Sequence, residues 1–285
     1  MASPQQRKVL PHQSHIDLNV FIVLFCFGTK KNNFSEKFPS LQKKLMALLL
    51  NIETSTEVCS VALARDGIVV CSRENLTGQH HAELLTVYIN EVLNECRIVK
   101  GQIDAVAVSG GPGSYTGLRI GVSAAKGFCY ASGLPLIALS SLEAMASFVI
   151  RNLSDYQYPE KENLLFCPMI DARRMEVYTA FYDRRGSQVR EIKADIIDHQ
   201  SYLSYLEQNT VFFFGNGAFK CRDSISHPNA LFIDGISTSA KSMATLSERA
   251  FQLRKFVDVA YYEPFYLKDF VATIPVKNIF KGGNQ

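Results

Sequence analysis

From residue 48 onward the chain switches repeatedly between two hydrophobic periods. Segment 48–52 (LLLNI) is a short apolar run, as in a strand buried on both faces. Segment 58–64 (VCSVALA) alternates, Asp66-Gly67 supplies a hairpin turn, and 68–73 returns as a third strand. Together they predict an antiparallel meander. Between 78 and 96 the period becomes helical: Leu84, Leu85, Tyr88, Ile89, Val92, Leu93 and Cys96 share one broad apolar stripe. Segment 103–109 is a strand again. It enters a glycine-rich loop, Gly110 to Gly117, then a helix from about 118 to 132 that stops at Gly133, then a strand at 135–139. Strand, loop, helix and parallel strand make a βαβ unit, and a helix at 140–150 follows.

The second half repeats this plan. A polar linker at 153–162 precedes strands at 163–170, 175–182 and 187–192, a second meander. A helix is expected at 196–208 and a buried strand at 211–214 (VFFF). Gly215-Asn216-Gly217-Ala218 then opens a short helix, a helix spans 239–256, and polar-aromatic tail segments lie at 262–268 and 271–275. The pattern predicts an α/β protein of two tandem lobes, 46–150 and 160–285, each a mixed sheet flanked by helices. The last segment is free to return to the first lobe.

Residues 1–45 break the pattern. Their apolar stretch 18–28 (LNVFIVLFCFG) is shorter than the roughly 20 residues of a membrane span. Basic residues flank it and no small-residue cleavage site follows, so no membrane association is expected. Met46 stands directly before the first strand. The first 45 residues are therefore expected to be a leader, either a loose tail or an upstream start-site artefact. They also distort the charge balance. The whole chain is +3, but residues 1–45 hold seven Lys/Arg and two acids, which leaves 23 basic and 25 acidic residues, a balance of −2. A mildly acidic body lacks the electrostatic footprint of a strong nucleic-acid binder. The seven cysteines are scattered with no C-x-x-C spacing, which fits reduced thiols and a cytoplasmic location.

Candidate chemistry centres on the loop. Gly110, Gly111, Gly113, Ser114 and Thr116 are the candidate anion or nucleotide residues, because glycine backbone can crowd round a phosphate at a helix N-terminus. The loop lacks the Lys-Ser/Thr pair of a P-loop, and Thr116 stands where a dinucleotide loop needs its third glycine. Gly113, Gly117, Gly121 and Ala125 recur every four residues as a small face, so a tight turn with close helix packing is the favoured reading. Glu53 followed by Thr54-Ser55-Thr56 is either a polar turn or a phosphate and metal loop. His80 and His81 are adjacent, so they diverge on a helix and cannot readily share one metal.

Five strings then carry a resemblance. They are LLNIETSTEVCSVAL at 49–63, SGGPGSYTGLRIG at 109–121, DARRMEVY at 171–178, GNGA at 215–218 and EPFYL at 263–267. In this order they resemble the bacterial TsaB (YeaZ) family, within the actin-like ATPase (ribonuclease H-like) superfamily. The resemblance implies a partner of the TsaD transferase in making N6-threonylcarbamoyladenosine at position 37 of tRNAs that read ANN codons. It also implies that the ATPase TsaE joins the complex, that tRNA is met only through the complex, and that the chain pairs with itself when TsaD is absent.

TsaD-like proteins carry a His-x-x-x-His metal pair after the strand that follows the glycine loop. Ser141 and Met145 stand at those positions here, and neither replaces an imidazole ligand. The resemblance thus implies a non-catalytic subunit with no catalytic or metal residues and no cofactor of its own; ATP or ADP at the complex interface is left open. Leu84, Leu85, Tyr88, Ile89, Val92, Leu93, Gly117 and Gly121 are the expected partner interface, in a bundle of the two helices with their TsaD equivalents. On that reading Leu85→Glu or Ile89→Glu would abolish pairing and leave the monomer folded. The alternative is a stand-alone actin-like ATPase or small-molecule kinase with Glu53 and Asp171 near Mg²⁺.

Overall fold

The structure, a computed structural model, describes residues 47–78, 80–158 and 163–268. The expected leader 1–45, Met46, part of the 153–162 linker, the tail segment 271–275 and the end of the second lobe lie outside the described residues.

Among the described residues there are two five-stranded sheets. In the first, β1 (Leu48–Glu53), β2 (Cys59–Arg65) and β3 (Ile68–Asn75) form the antiparallel meander. β4 (Ala105–Ser109) lies parallel to β1, and β5 (Leu136–Leu139) parallel to β4, giving the order β3-β2-β1-β4-β5. Helix α1 (His81–Glu95) joins β3 to β4, and α2 (Tyr115–Ser132) joins β4 to β5. Helix α2 starts at Ser114, whose side chain accepts from Gly117 N, and ends at left-handed Gly133, as its caps predict.

The second sheet repeats the topology. β6 (Leu164–Asp171), β7 (Glu176–Asp183) and β8 (Gln188–Ile196) form the meander, and β9 (Thr210–Phe214) and β10 (Ala230–Ile233) add in parallel on the other side. Where the first half has α1 and α2, the corresponding described residues of the second have only α4 (Leu203–Leu206) and a 3-10 turn at Phe219–Cys221.

The expected helix at 196–208 is corrected. β8 continues to Ile196, and Asp198 then forms a side-chain turn: its carboxylate accepts from Gln200 N at 3.0 Å and from Ser201 Oγ at 2.9 Å. Such local bonds compete with helix formation, and Tyr202 breaks the path with φ 66°. The strand β10 was not anticipated, and the expected short helix after Ala218 is only the 3-10 turn.

Both faces of both sheets are covered, which explains the near-continuous apolar runs. Leu48, Leu50, Ile52 and Val106 face α1 and α2. Leu49, Ala105 and Ile137 face α5 (Ala240–Gln252) through Met243. On the second sheet, Phe166 and Phe212 stack at 5.3 Å in a core that takes in Leu142 and Met145 of α3 (Ser141–Arg151). The two long helices are thus exchanged. Helix α3, from the first half of the sequence, packs on β6 and β7, whereas α5, from the second, packs on the first sheet, and the two helices touch. Arg151 bonds Thr245 between them, and Ala240 N donates to Ser60 Oγ at 3.1 Å.

Candidate functional site

The C-terminal ends of β1 and β4 bring two loops into contact. Glu53 ends β1 and is fully buried. Its Oε1 accepts from Ser55 N at 2.5 Å and from Ser109 Oγ at 2.9 Å, while Oε2 has no partner among the described residues. Lost hydration pushes its pKa up, against the opposing bonds from Ser55 and Ser109. Thr54 Oγ1 donates to Gly117 O at 2.8 Å, and Ser114 N donates to Ser55 O at 2.6 Å. The loop after β1 therefore lies directly on the glycine loop and on the first turns of α2. A Cβ at Gly113 would stand 2.1 Å from Ser55 O, one at Gly117 2.1 Å from Thr54 O, and one at Gly121 2.1 Å from Thr54 Oγ1.

The C-terminal tail closes the other side. Phe265 N donates to Gly110 O at 2.7 Å, and Lys126 Nζ holds the tail through Ala260 O and Tyr262 O, each at 3.0 Å. A Cβ at Gly111, where φ is +106°, would meet Phe265 O at 2.7 Å. This packing commits part of the backbone of the loop read as a candidate phosphate cradle. Gly110 N is spent on Leu139 O and Ser114 N on Ser55 O. Gly111 and Gly113 are pressed by neighbouring backbone, and Thr116 lies exposed in the first turn of α2. The glycines serve a packed joint, the reading favoured from their spacing.

The expected partner face divides in two. Leu85, Ile89, Val92 and Leu93 are buried in the chain's own core, so the expectation that Leu85→Glu or Ile89→Glu leaves the monomer folded is corrected. Gly117 and Gly121 are likewise corrected, since Thr54 of the same chain fills the space over them. Leu84 and Tyr88 remain half-buried at the edge of that core, as do Ile120, Ala124 and Phe128 of α2. Helices α1 and α2 touch, so these side chains follow one seam; Val87 and Tyr130 are exposed on the same two helices.

Ser141 and Met145 are buried on α3; Met145 packs into the second core, and Ser141 Oγ has no hydrogen-bond partner among the described residues. Between them Glu143 is held above its ordinary pKa by burial, with Lys255 and Arg249 pulling the other way. Asp171, paired with Glu53 in the kinase alternative, is engaged by Lys220 Nζ at 2.5 Å and by Arg173 N at 2.8 Å. His81 ties α1 to the β1–β2 loop, its Nε2 donating to Thr56 O at 2.9 Å, and His80 faces Glu83. Among the described residues no three His, Cys, Asp or Glu side chains converge on a metal-sized site, and no helix is long and apolar enough to cross a membrane. Burial pushes the Cys59, Cys129 and Cys221 thiols up to about 11, away from nucleophilic thiolate.

Two repeated α/β lobes joined by exchanged helices define the class. A protein-family profile described as "TsaD: tRNA N6-adenosine threonylcarbamoyltransferase" matches residues 74–276. The chain belongs to this family. Within it, the chain is 31% identical over 233 residues to the tRNA threonylcarbamoyladenosine biosynthesis protein TsaB of Escherichia coli K12, covering 79% of this chain and 96% of that one. It is 29% identical over 230 residues to the TsaB of Haemophilus influenzae, covering 78% and 93%. YeaZ from Pseudomonas aeruginosa superposes with a TM-score of 0.67 at 26% identity, covering 78% of this chain and all of that one. The chain is thus a member of the TsaB (YeaZ) branch.

Two features escaped the sequence reading. The tail contact from Tyr262 and Phe265 onto Gly110 and Gly111 left one trace, the EPFYL string, whose role periodicity cannot reveal. The arginines around Glu143 come from 151, 185 and 249, too far apart in sequence to signal a site.

Proposed function

We propose that this chain is the non-catalytic pairing subunit for threonylcarbamoyl modification of adenosine 37 in tRNAs that read ANN codons. It docks on a TsaD transferase, which performs the transfer, and the ATPase TsaE joins the pair. The two lobes, joined by the exchanged helices α3 and α5, form the scaffold that presents α1 and α2.

One observation carries this reading: in a TsaB-branch chain, an apolar seam of Leu84, Tyr88, Ile120, Ala124 and Phe128 lies half-covered along α1 and α2. The second half has no comparable pair of helices among the described residues, so the seam is particular to the first lobe. Half-covered aromatic and aliphatic side chains on paired helices suit helix-on-helix packing, with Tyr88 as a central anchor. The buried Ser141 and Met145 support the non-catalytic role, because neither side chain is a strong metal ligand and Met145 is committed to packing.

The test is reconstituted transfer. Threonylcarbamoyl-adenylate, tRNA and TsaD are combined with and without this chain. Transfer should require the chain, and the chain without TsaD should give no product. Tyr88→Glu should remove the stimulation while the cooperative thermal transition is retained. Product formed by this chain alone, or full transfer without it, would sink the proposal.

A further inference from the structure

A second feature lies away from the seam, where the exchanged helices meet. Helices α3 and α5 and the turn between β7 and β8 enclose a crevice of about 120 Å³. That is several times the roughly 10–15 Å³ needed to hold one water. Its chemistry is one-sided. Arg151 enters from α3, Arg185 from the turn and Arg249 from α5, and Glu143 is the single acid among the described lining residues. Arg151 is anchored, its Nε donating to Ser147 O at 3.2 Å and its other end to Thr245. Arg249 lies close enough to Glu143 to pull its carboxyl toward ionisation. One carboxylate can neutralise one guanidinium, which leaves a surplus of two positive charges.

The back of the crevice adds a neutral donor. Tyr182, on β7, is only 2% exposed and lines the space. Burial holds its phenol far above the usual range, so the hydroxyl keeps its proton and can donate. Ala146 and Leu246 supply apolar wall, which weakens screening by water.

We propose that this crevice binds a phosphate-type dianion. A carboxylate is served by one guanidinium in a flat fork, whereas a tetrahedral dianion presents oxygens in several directions. Three guanidiniums arriving from three elements, with a phenol behind them, match the second geometry. The enclosed volume takes the phosphate group itself; the rest of a larger phosphorylated compound would project past Arg185 into solvent. Because its walls come from helices packed on different sheets, the anion would bridge the two lobes.

Calorimetric titration tests this on the full-length chain at pH 7.5, with ionic strength held constant by sodium chloride. Orthophosphate should bind saturably at one site, and acetate more weakly. Arg249→Ala and Arg185→Ala should each weaken phosphate by about tenfold, the size expected for one charge-assisted contact. Both arginines are exposed, so the phosphate-free thermal midpoint should hold. Glu143→Gln should act oppositely and tighten phosphate several-fold by removing the carboxylate that faces the anion. AMP compared with orthophosphate distinguishes a nucleotide's phosphate from the free ion, and saturable binding of either supports the site. Absence of saturable heat for both, or binding untouched by both arginine substitutions, would overturn it.

Discussion

Two of the three glycines of helix α2, Gly117 and Gly127, have opposite surroundings, and replacing each with alanine separates local propensity from packing. At Gly127 nothing lies within 4 Å of the position a Cβ would take. Alanine there should stabilise by up to about 1 kcal/mol, the helix-propensity difference. At Gly117 the same methyl would stand 2.1 Å from Thr54 O. The helix must then move away from the β1 loop, at an overpacking cost of about 1–3 kcal/mol. The Thr54 Oγ1 bond to Gly117 O, now 2.8 Å, would stretch and forfeit about 1 kcal/mol more. After the propensity gain of about 1 kcal/mol, Gly117→Ala should destabilise by about 1–3 kcal/mol. The two variants should therefore differ by about 2–4 kcal/mol. Urea unfolding followed by circular dichroism reads this as midpoints displaced in opposite directions, with the slope unchanged. Equal stabilisation by both would refute the claim that α2 is pressed onto the loop.

Other perturbations probe other layers. Leu85→Glu places a charge in the first core and should abolish the cooperative thermal transition, whereas Leu84→Glu, one residue away at its edge, should keep it. Glu53→Gln should change the pH dependence of stability. The folded carboxyl has a pKa above the ordinary 4.5, so its stabilising contribution is complete below that value and is lost as pH rises through the folded pKa. Urea midpoints measured from pH 4.5 to 8 should show the variant gaining on the parent as pH rises; the reverse trend would contradict a buried, desolvated carboxyl. Phe166→Ala removes a ring stacked 5.3 Å from Phe212 and should cost about 3–5 kcal/mol in the same assay.

The order of elements in the first half was legible because each carries its own period and punctuation. VCSVALA alternates, Asp66-Gly67 turns, and Ser114 and Gly133 bracket α2. The second meander was legible for the same reason. The misreadings arose where a local bond or a distant neighbour decides. Apolar spacing at 196–208 suggested a helix, but Asp198 bonded its own turn. Strand β10 has four half-buried residues, too few to show a period. A one-dimensional stripe on α1 cannot say which residues face the chain's own sheet, and Leu85 and Ile89 proved to be core whereas Leu84 and Tyr88 lie at the edge. The glycine face was visible in sequence, yet its occupant, Thr54, stands more than sixty residues away in the chain. Ser141 and Met145 needed the family resemblance, since neither residue type signals a site by itself.

The pairing role rests on a direct physical association. Light scattering coupled to size-exclusion chromatography would be run on the full-length chain alone, on TsaD from the same source, and on their mixture. A one-to-one complex in the mixture, lost with Tyr88→Glu while that variant elutes as a folded protein, is the predicted result. Separate elution of the two proteins, with or without ATP and TsaE, would contradict it.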